Sequence, residues 1–370
     1  MNLRVLLATP YDLTVPGGVN SQSLGLLDAL TGRGVDARLV GPSSGETNGG
    51  DPRVVVAGHV SHLPFNGAMS RVASDPRILF TLRRLVREFD PDVVHVQEPV
   101  SPLPCAALLW LAPRRALRVG TFHTYSETGR GYLWTWPYVQ AVWSKLDVRV
   151  AVSEAAREFA TRFHRADFEI IPNAIDLPAL LPPPAGKTGP PRVLFVGRLD
   201  EPRKGFGVFL RAIRLVETEA PGTLTATVIG RGADEWREEA AGLPVRFEGE
   251  VVDEGLARAY AEADIVAVPS VGGESFGLVP LEAMAHHRPV VASGIAGYAA
   301  WMEGAARLVP PADEAALAAA LKELAASPAL RADLSARGAE VARQHSWDAV
   351  VERWLALYRA GVPQSARRTP

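Results

Sequence analysis

The sequence predicts an α/β protein made of two doubly wound halves, and three observations predict it. Short apolar runs alternate with helical patterns along the chain, as they do where helices wrap a parallel sheet. The alternation occurs as two similar series. Between them, residues 176–192, DLPALLPPPAGKTGPPR, are too rich in Pro and Gly to sustain a helix or a strand and read as a linker. The expected domains are residues 1–175 and 190–345, with a last helical segment in 346–370 crossing back onto the first.

The strands of the first half are expected at LRVLLAT (3–9), ARLVG (37–41), VVVAG (54–58), DVVHVQ (92–97), RVGTFH (118–123) and VRVAVS (148–153), followed by FEIIPN (168–173). Those of the second are VLFVG (193–197), TATVIG (225–230), VRFEGE (245–250), IVAVPS (265–270), PVVAS (289–293) and ARLVP (306–310). Helical spacing of apolar residues in SWDAVVERWLALYRA (346–360) marks the last helix. A cleft between the two halves is the expected ligand site.

At 370 residues, 47% hydrophobic and 22% charged, the chain has material for two cores. A net charge of −2, with neither a zinc-spaced Cys/His set nor a basic stretch interleaved with aromatics, gives no sign of a nucleic-acid partner. Cys105 stands alone, which suits a reducing cytosol. The apolar run in MNLRVLLATPYD is shorter than a signal-peptide core, so the expectation is a protein kept inside the cell. No run approaches the length of a membrane span; the longest candidate, around Ala106 to Ala112, is bounded by prolines.

Two stretches carry the chemistry. DEPRKG (200–205) puts Arg203 and Lys204, with Arg198 just before, at the carboxyl end of a buried strand, where open parallel sheets bind ligands. GGESFGLVPLE (272–282) sets Glu274 and Glu282 around a Ser-Phe-Gly turn, and Pro280 places a first helical turn at Ser275 to Val279. Free amides at such a turn point at an anion. When a diphosphate leaves a sugar carbon, negative charge builds on its oxygens, and fixed cations and amides must already be in place. Carboxylates beside them make sense as acceptors for hydroxyls, one of the sugar and one of the ribose. Each stretch alone also fits a solvated loop with a helix cap; the pair of them suggests a site for a sugar diphosphate.

In the first half, Gly17 and Gly18 of VPGGV precede a helical pattern and let backbone amides approach an anion closely, without any G-x-G-x-x-G fingerprint. His123 ends a strand with polar groups following, and is the candidate to bond a sugar hydroxyl or align an acceptor. His95 also ends a strand but reads as structural. The Asp-x-Asp at Asp90 to Asp92 sits at a strand's amino end, away from the expected cleft, and no metal site is assigned.

The arrangement of VPGGV, TFHT, VGR with DEPRKG, IGRG (229–232) and GGESFGLVPLEAMA resembles the retaining GT-B glycosyltransferases. Within them it most resembles the bacterial phosphatidylinositol mannosyltransferases, a likeness that also covers PFNGAMSR (64–71), VAVSEAAR (150–157) and IPNAID (171–176). The resemblance implies that Arg198 and Lys204 hold the donor diphosphate with an amide of Gly18, that Glu274 contacts the donor sugar, and that Glu282 contacts the ribose. It places Ser275, Phe276, Gly277 and Leu278 along the donor and Asp253 near the nucleobase. His123 matches the family's active-site histidine; Tyr11, Asn20, Asn66, Arg71 and Thr124 fall where the lipid head group is expected. A basic residue expected shortly after TFHT is Thr128 here, with Arg130 nearby as a substitute, and Leu256 occupies another usually basic position.

The implied reaction is retaining transfer of mannose from GDP-mannose to phosphatidylinositol, without a further cofactor. The alternatives are a related enzyme using another nucleotide sugar, such as UDP-glucose, with a different lipid or polyol acceptor, and a non-catalytic nucleotide-sugar sensor. The segment DPRILFTLRRLVREF (75–89) sets apolar residues on one helical face and Arg77, Arg83, Arg84 and Arg87 elsewhere. A helix packed on a sheet would show the same apolar face, while the resemblance implies peripheral binding to an anionic membrane at its cytoplasmic side. Trp134, Trp136 and Tyr138 form a second segment that fits either a bilayer or a core.

Overall fold

The computed structural model describes residues 3–15, 17–45, 50–58, 60–65, 68–73, 75, 77–125, 136–163, 165–181 and 189–362. The chain divides into two compact units, Met1–Ala174 with Trp347–Pro370, and Ile175–Ser346.

In the first unit β1 (Arg4–Ala8) leads to α1 (Gly18–Gly32), β2 (Asp36–Gly41) and β3 (Val54–Val56). An antiparallel pair follows, β4 (Val60–Phe65) with β5 (Ala68–Ala73), then α2 (Ile78–Phe89) and β6 (Val93–Gln97). After α3 (Ala107–Leu111) come β7 (Leu117–Phe122), α4 (Trp136–Trp143), β8 (Val148–Ala151), α5 (Glu154–Thr161) and β9 (Glu169–Ile170). The parallel sheet has the order β3-β2-β1-β6-β7-β8-β9. Its central strands are covered on both faces, which is why Leu6, Leu7, Val93, Val94 and Val96 have no exposure, with His95 the one polar side chain among those of β6 before Gln97. The strand order turns back between β1 and β6, the place where open parallel sheets bind ligands at their carboxyl ends. The β4–β5 pair was not expected among the strands.

The second unit repeats the plan with β10 (Arg192–Val196), α6 (Phe206–Glu219), β11 (Thr225–Ile229), β12 (Val245–Gly249), α7 (Asp253–Glu262) and β13 (Ile265–Val268). It continues through α8 (Leu278–Ala285), β14 (Val290–Ser293), α9 (Ala296–Met302), β15 (Arg307–Val309), α10 (Glu314–Ala326) and α11 (Pro328–Gln344). The parallel order β12-β11-β10-β13-β14-β15 puts its turning point between β10 and β13.

The last helix, α12 (Trp347–Gly361), belongs to the first unit. It lies on α1, where Gly25 makes room: a Cβ there would sit 2.4 Å from the Trp347 ring. Val350, Val351, Trp354, Leu355 and Tyr358 share a core with Leu3, Val5, Leu7, Leu26 and Leu27. Arg33 of the α1 end pairs with Asp348 at 3.0 Å and Glu352 at 2.8 Å across the helix contact.

Candidate active site

In the second unit the two chemistry-bearing turns sit side by side, one after β10 and one after β13. Pro202 opens a single 3₁₀ turn, Pro202–Lys204, where its fixed φ fits and its missing N–H costs nothing. Gly205 closes that turn at φ 74°, and a Cβ on it would lie 1.9 Å from the Pro269 carbonyl oxygen. The Val271 N–H donates to the Arg203 carbonyl at 2.9 Å. Only glycine lets the loops come this close, and their closeness brings Glu274 to the cations.

Oε1 of Glu274 accepts from Lys204 Nζ at 2.6 Å and from Arg203 Nη1 at 2.7 Å. Arg203 Nη2 lies 2.8 Å from Oε2 of Glu201, and Arg198 Nη1 lies 2.5 Å from its Oε1. Arg198 also pairs with Asp200 at 3.2 Å, which holds that carboxyl below its usual range. The result is an alternating chain of charge, Arg198, Glu201, Arg203, Glu274 and Lys204, in which each cation is held by carboxylates. Glu274 is buried, whereas Arg198 and Arg203 remain partly open to solvent. Any further anion bound by these cations would have to exchange with the carboxylates that hold them now.

The turn after Glu274 departs from the expected one. Ser275 and Phe276 form a bend outside the helix, and α8 begins at Leu278 with Gly277 preceding it at φ 81°. The first turn of α8 is therefore Leu278 to Pro280, and Pro280 occupies its third position. Gly277 is required twice over, by its left-handed backbone and because a Cβ would lie 2.2 Å from the Tyr298 ring. Tyr298 in turn bonds Ser270 at 2.8 Å. The Phe276 carbonyl accepts from Trp301 Nε1 at 3.1 Å, and the two rings stack at 5.0 Å. Glu282, on α8, accepts from the Tyr260 hydroxyl at 3.0 Å, and burial pushes its carboxyl up against the opposing pull of Tyr260 and Lys204. Asp253 is the exposed first residue of α7, with φ 51°.

In the first unit Gly18 opens α1, and Gly17 before it is extended with open space around it. The first-turn amides have no helical acceptor and no acidic side chain near them in that turn. Asn20 is buried: Oδ1 accepts from Thr9 at 2.9 Å, while Nδ2 donates to the Asp12 and Val15 carbonyls at 2.7 and 3.2 Å. It pins the loop that carries Tyr11, whose hydroxyl is pushed up by burial and by Glu98. His123 Nε2 lies 2.7 Å from Gln97 Oε1. Oε1 of Glu98 accepts both the His123 N–H and the Thr124 hydroxyl at 2.8 Å. His95 is fully buried between Tyr358 and Thr121, as a structural residue would be.

Asn66, Thr128, Arg130 and Trp134 lie outside the described residues, and of Arg71 only its place in β5 opposite His62 is described. Asp92 accepts the Arg4 N–H at 3.0 Å and Asp90 pairs with Arg115, both at the amino end of β6. Among the described residues no group of three or more His, Cys, Asp or Glu could hold a metal ion, and no helix is long and apolar enough to cross a membrane. Arg77, Arg83, Arg84 and Arg87 are exposed at and along α2, and with them Phe80, at 73% exposure. Trp136 is exposed to 44% while Tyr138 is partly buried.

Comparison with known proteins fixes the family. Over 367 residues the chain is 36% identical to the phosphatidyl-myo-inositol mannosyltransferase of Mycobacterium leprae, covering 96% of each. The chain belongs to the GT-B glycosyltransferases, in the phosphatidyl-myo-inositol mannosyltransferase family. Residues 16–178 of this glycosyltransferase match glycosyltransferase family 4, and residues 190–327 match glycosyl transferases group 1. Its fold is that of sucrose-phosphate synthase from Thermosynechococcus elongatus, at 22% identity and a TM-score of 0.76 over 97% of this chain and 99% of that one. It is likewise that of Anabaena Alr3699/HepE in complex with UDP and glucose, at 17% identity and 0.73 over 97% and 100%. The glycosyltransferase is thus a hexosyltransferase of two Rossmann-like units.

Sequence reasoning missed several residues that shape these sites. Glu201 is in DEPRKG but was not singled out, though a carboxylate between two arginines at a strand end is a signal. Gln97 is the last residue of β6 and Glu98 follows it directly, and polar residues at that end of a parallel strand are where sites form. Tyr260, Tyr298 and Trp301 left no local signal, because each acts on a segment over twenty residues away.

Proposed function

We propose that this glycosyltransferase transfers mannose from GDP-mannose to phosphatidylinositol at the cytoplasmic membrane surface, with retention of configuration. The observation that carries the reading is the near full-length likeness to the Mycobacterium leprae enzyme, which spans both units. The fold shared with a protein bound to UDP and glucose supports a nucleotide-sugar donor.

Arg198 and Lys204 hold the diphosphate, and in the first unit the first-turn amide of Gly18 is suited to an anion. Glu274 gives up its cations to the phosphates and accepts from hydroxyls of the transferred sugar. Glu282 accepts from the ribose, Asp253 lies near the base, and Ser275 to Leu278 run along the donor. The bond from the anomeric carbon to the phosphate oxygen breaks while a bond to an inositol oxygen forms on the same face, and the inositol proton passes to the departing phosphate. Cations fixed beforehand lower the cost of that developing charge, because they need not reorganise. His123, Tyr11, Thr124, Asn66, Arg71 and Arg130 serve the acceptor, with Asn20 holding the loop that carries Tyr11. The exposed arginines of α2, with Phe80 among them, meet anionic lipid.

The test offers GDP-mannose and UDP-glucose in parallel to the purified protein, with and without phosphatidylinositol vesicles. Mannolipid formed from GDP-mannose alone is the expected result; transfer from UDP-glucose, or to another acceptor, overturns the donor or the acceptor separately. Replacing Arg77, Arg84 and Arg87 by Ser weakens vesicle binding in a salt-dependent way, leaving donor binding alone.

A further inference from the structure

At the carboxyl ends of β6 and β7 a run of buried polar side chains has a direction. The Tyr358 hydroxyl lies 2.7 Å from His95 Nδ1, and Thr121 Oγ1 lies 2.6 Å from His95 Nε2. Gln97 Nε2 lies 3.4 Å from that same nitrogen, while Gln97 Oε1 lies 2.7 Å from His123 Nε2. An amide nitrogen only donates and an amide oxygen only accepts. With the Gln97 amide in this orientation His95 Nε2 is an acceptor, its proton sits on Nδ1, and His123 donates from Nε2.

A neutral imidazole with its proton on Nε2 keeps a lone pair on Nδ1. Among the described residues that Nδ1 has no hydrogen-bond partner. Burial holds the ring neutral, pushing its pKa down to about 3. The main chain is fixed as firmly as the ring: Glu98, 3% exposed and at φ 47°, takes the His123 N–H and the Thr124 hydroxyl on one oxygen. A residue other than glycine in the left-handed region is uncommon, and here it turns the Glu98 side chain onto the neighbouring strand's loop.

We propose that Gln97 and Glu98 are positioning residues, Glu98 setting the backbone of His123 and Gln97 locking its ring as the Nε2–H tautomer, so that Nδ1 presents a lone pair to a substrate hydroxyl. This rests on His123 being a site residue. The polarity has a chemical consequence: a lone pair accepts from a hydroxyl and repels a phosphate oxygen, so His123 reads the sugar or polyol part of a substrate and takes no share of the diphosphate.

The tautomer is read by nitrogen NMR of the full-length chain labelled at histidine, without substrate, the His123 signals being identified by their loss in His123→Asn. The expected spectrum shows Nε2 protonated and Nδ1 bare. Gln97→Glu, which still accepts from Nε2, keeps that signature; Gln97→Met loses it. Proton on Nδ1 in the wild type, or an unchanged spectrum in Gln97→Met, overturns the proposal whatever the donor proves to be. In transfer assays Gln97→Met should lower kcat roughly tenfold or more, by analogy with a wrong-tautomer histidine, with a much smaller change in donor KM. Wild-type turnover with the tautomer lost would sever the ring's polarity from the substrate.

Discussion

The Tyr260 hydroxyl donates to Oε2 of Glu282 at 3.0 Å while its ring stacks on His286 at 4.7 Å. The stacked ring anchors the hydroxyl, and the hydroxyl steadies a carboxylate that burial would otherwise drive toward its protonated form. Tyr260→Phe keeps the ring and removes the bond. Nucleotide binding should weaken by about 1–2 kcal/mol, the scale of a hydrogen bond to a charged group. Calorimetry with GDP and with a nucleotide lacking ribosyl hydroxyls checks this; equal weakening of both would place Glu282 away from the ribose.

Lys204→Ala removes a cation that stands ready before charge develops. Transfer should lose roughly 2–4 kcal/mol of transition-state stabilisation, by analogy with deleting a preorganised donor. Steady-state kinetics decide it, and turnover near the wild-type rate would take Lys204 out of the site.

Glu274→Gln frees Arg203 and Lys204 from the carboxylate they share. Free GDP should then bind no more weakly than before, and more tightly at low salt, while transfer falls by about 2–3 kcal/mol with the loss of a charged hydroxyl acceptor. Parallel loss of GDP binding and transfer would assign Glu274 to the phosphates instead of the sugar.

Gly277→Ala strains a left-handed residue and drives a methyl into the Tyr298 ring. The cost should be about 2–3 kcal/mol of stability. A denaturant midpoint equal to that of the wild type would show that the turn relaxes freely.

Glu98 gives the protein a signed response to pH. Burial raises its carboxyl from 4.5 to about 7, so between those values the folded chain keeps a proton that the unfolded chain has lost. The stability it contributes is complete below the unfolded value and is lost as pH rises through the folded one. Glu98→Gln keeps an accepting oxygen and cannot ionise. Its stability relative to the wild type should rise across that window and then level off, as followed by denaturant midpoints; a constant difference would mean that Glu98 ionises as if in water.

Where the parallel strands lie was legible because a parallel sheet covered on both faces favours apolar runs, as at VLFVG and IVAVPS. The β4–β5 pair was missed although Asn66 and Gly67 stand between its strands, a pair of residues suited to a tight hairpin. Its alternation is weak, and Pro64 argues against a strand. The start of α8 was placed early because Pro280 is tolerated anywhere in a first turn, and the sequence does not say at which position. Glu274 and Lys204 could be picked out singly as chemistry-bearing residues. Their shared oxygen could not, since it depends on Gly205 fitting beneath the Pro269 carbonyl. Asn20, placed at the acceptor by likeness, also bonds Thr9, Asp12 and Val15, contacts that its sequence position does not announce.

The packing of α12 into the first unit sets an order on synthesis. Leu3, Val5 and Leu7 are synthesised well before the side chains that complete their core, Val351, Trp354 and Tyr358, with the whole second unit made in between. The second unit carries its own core and can close in the meantime. At about 5–20 residues per second, the first unit waits on the order of ten seconds or more with an apolar face uncovered. The unit that is begun before the other can complete its core only after the other has been made.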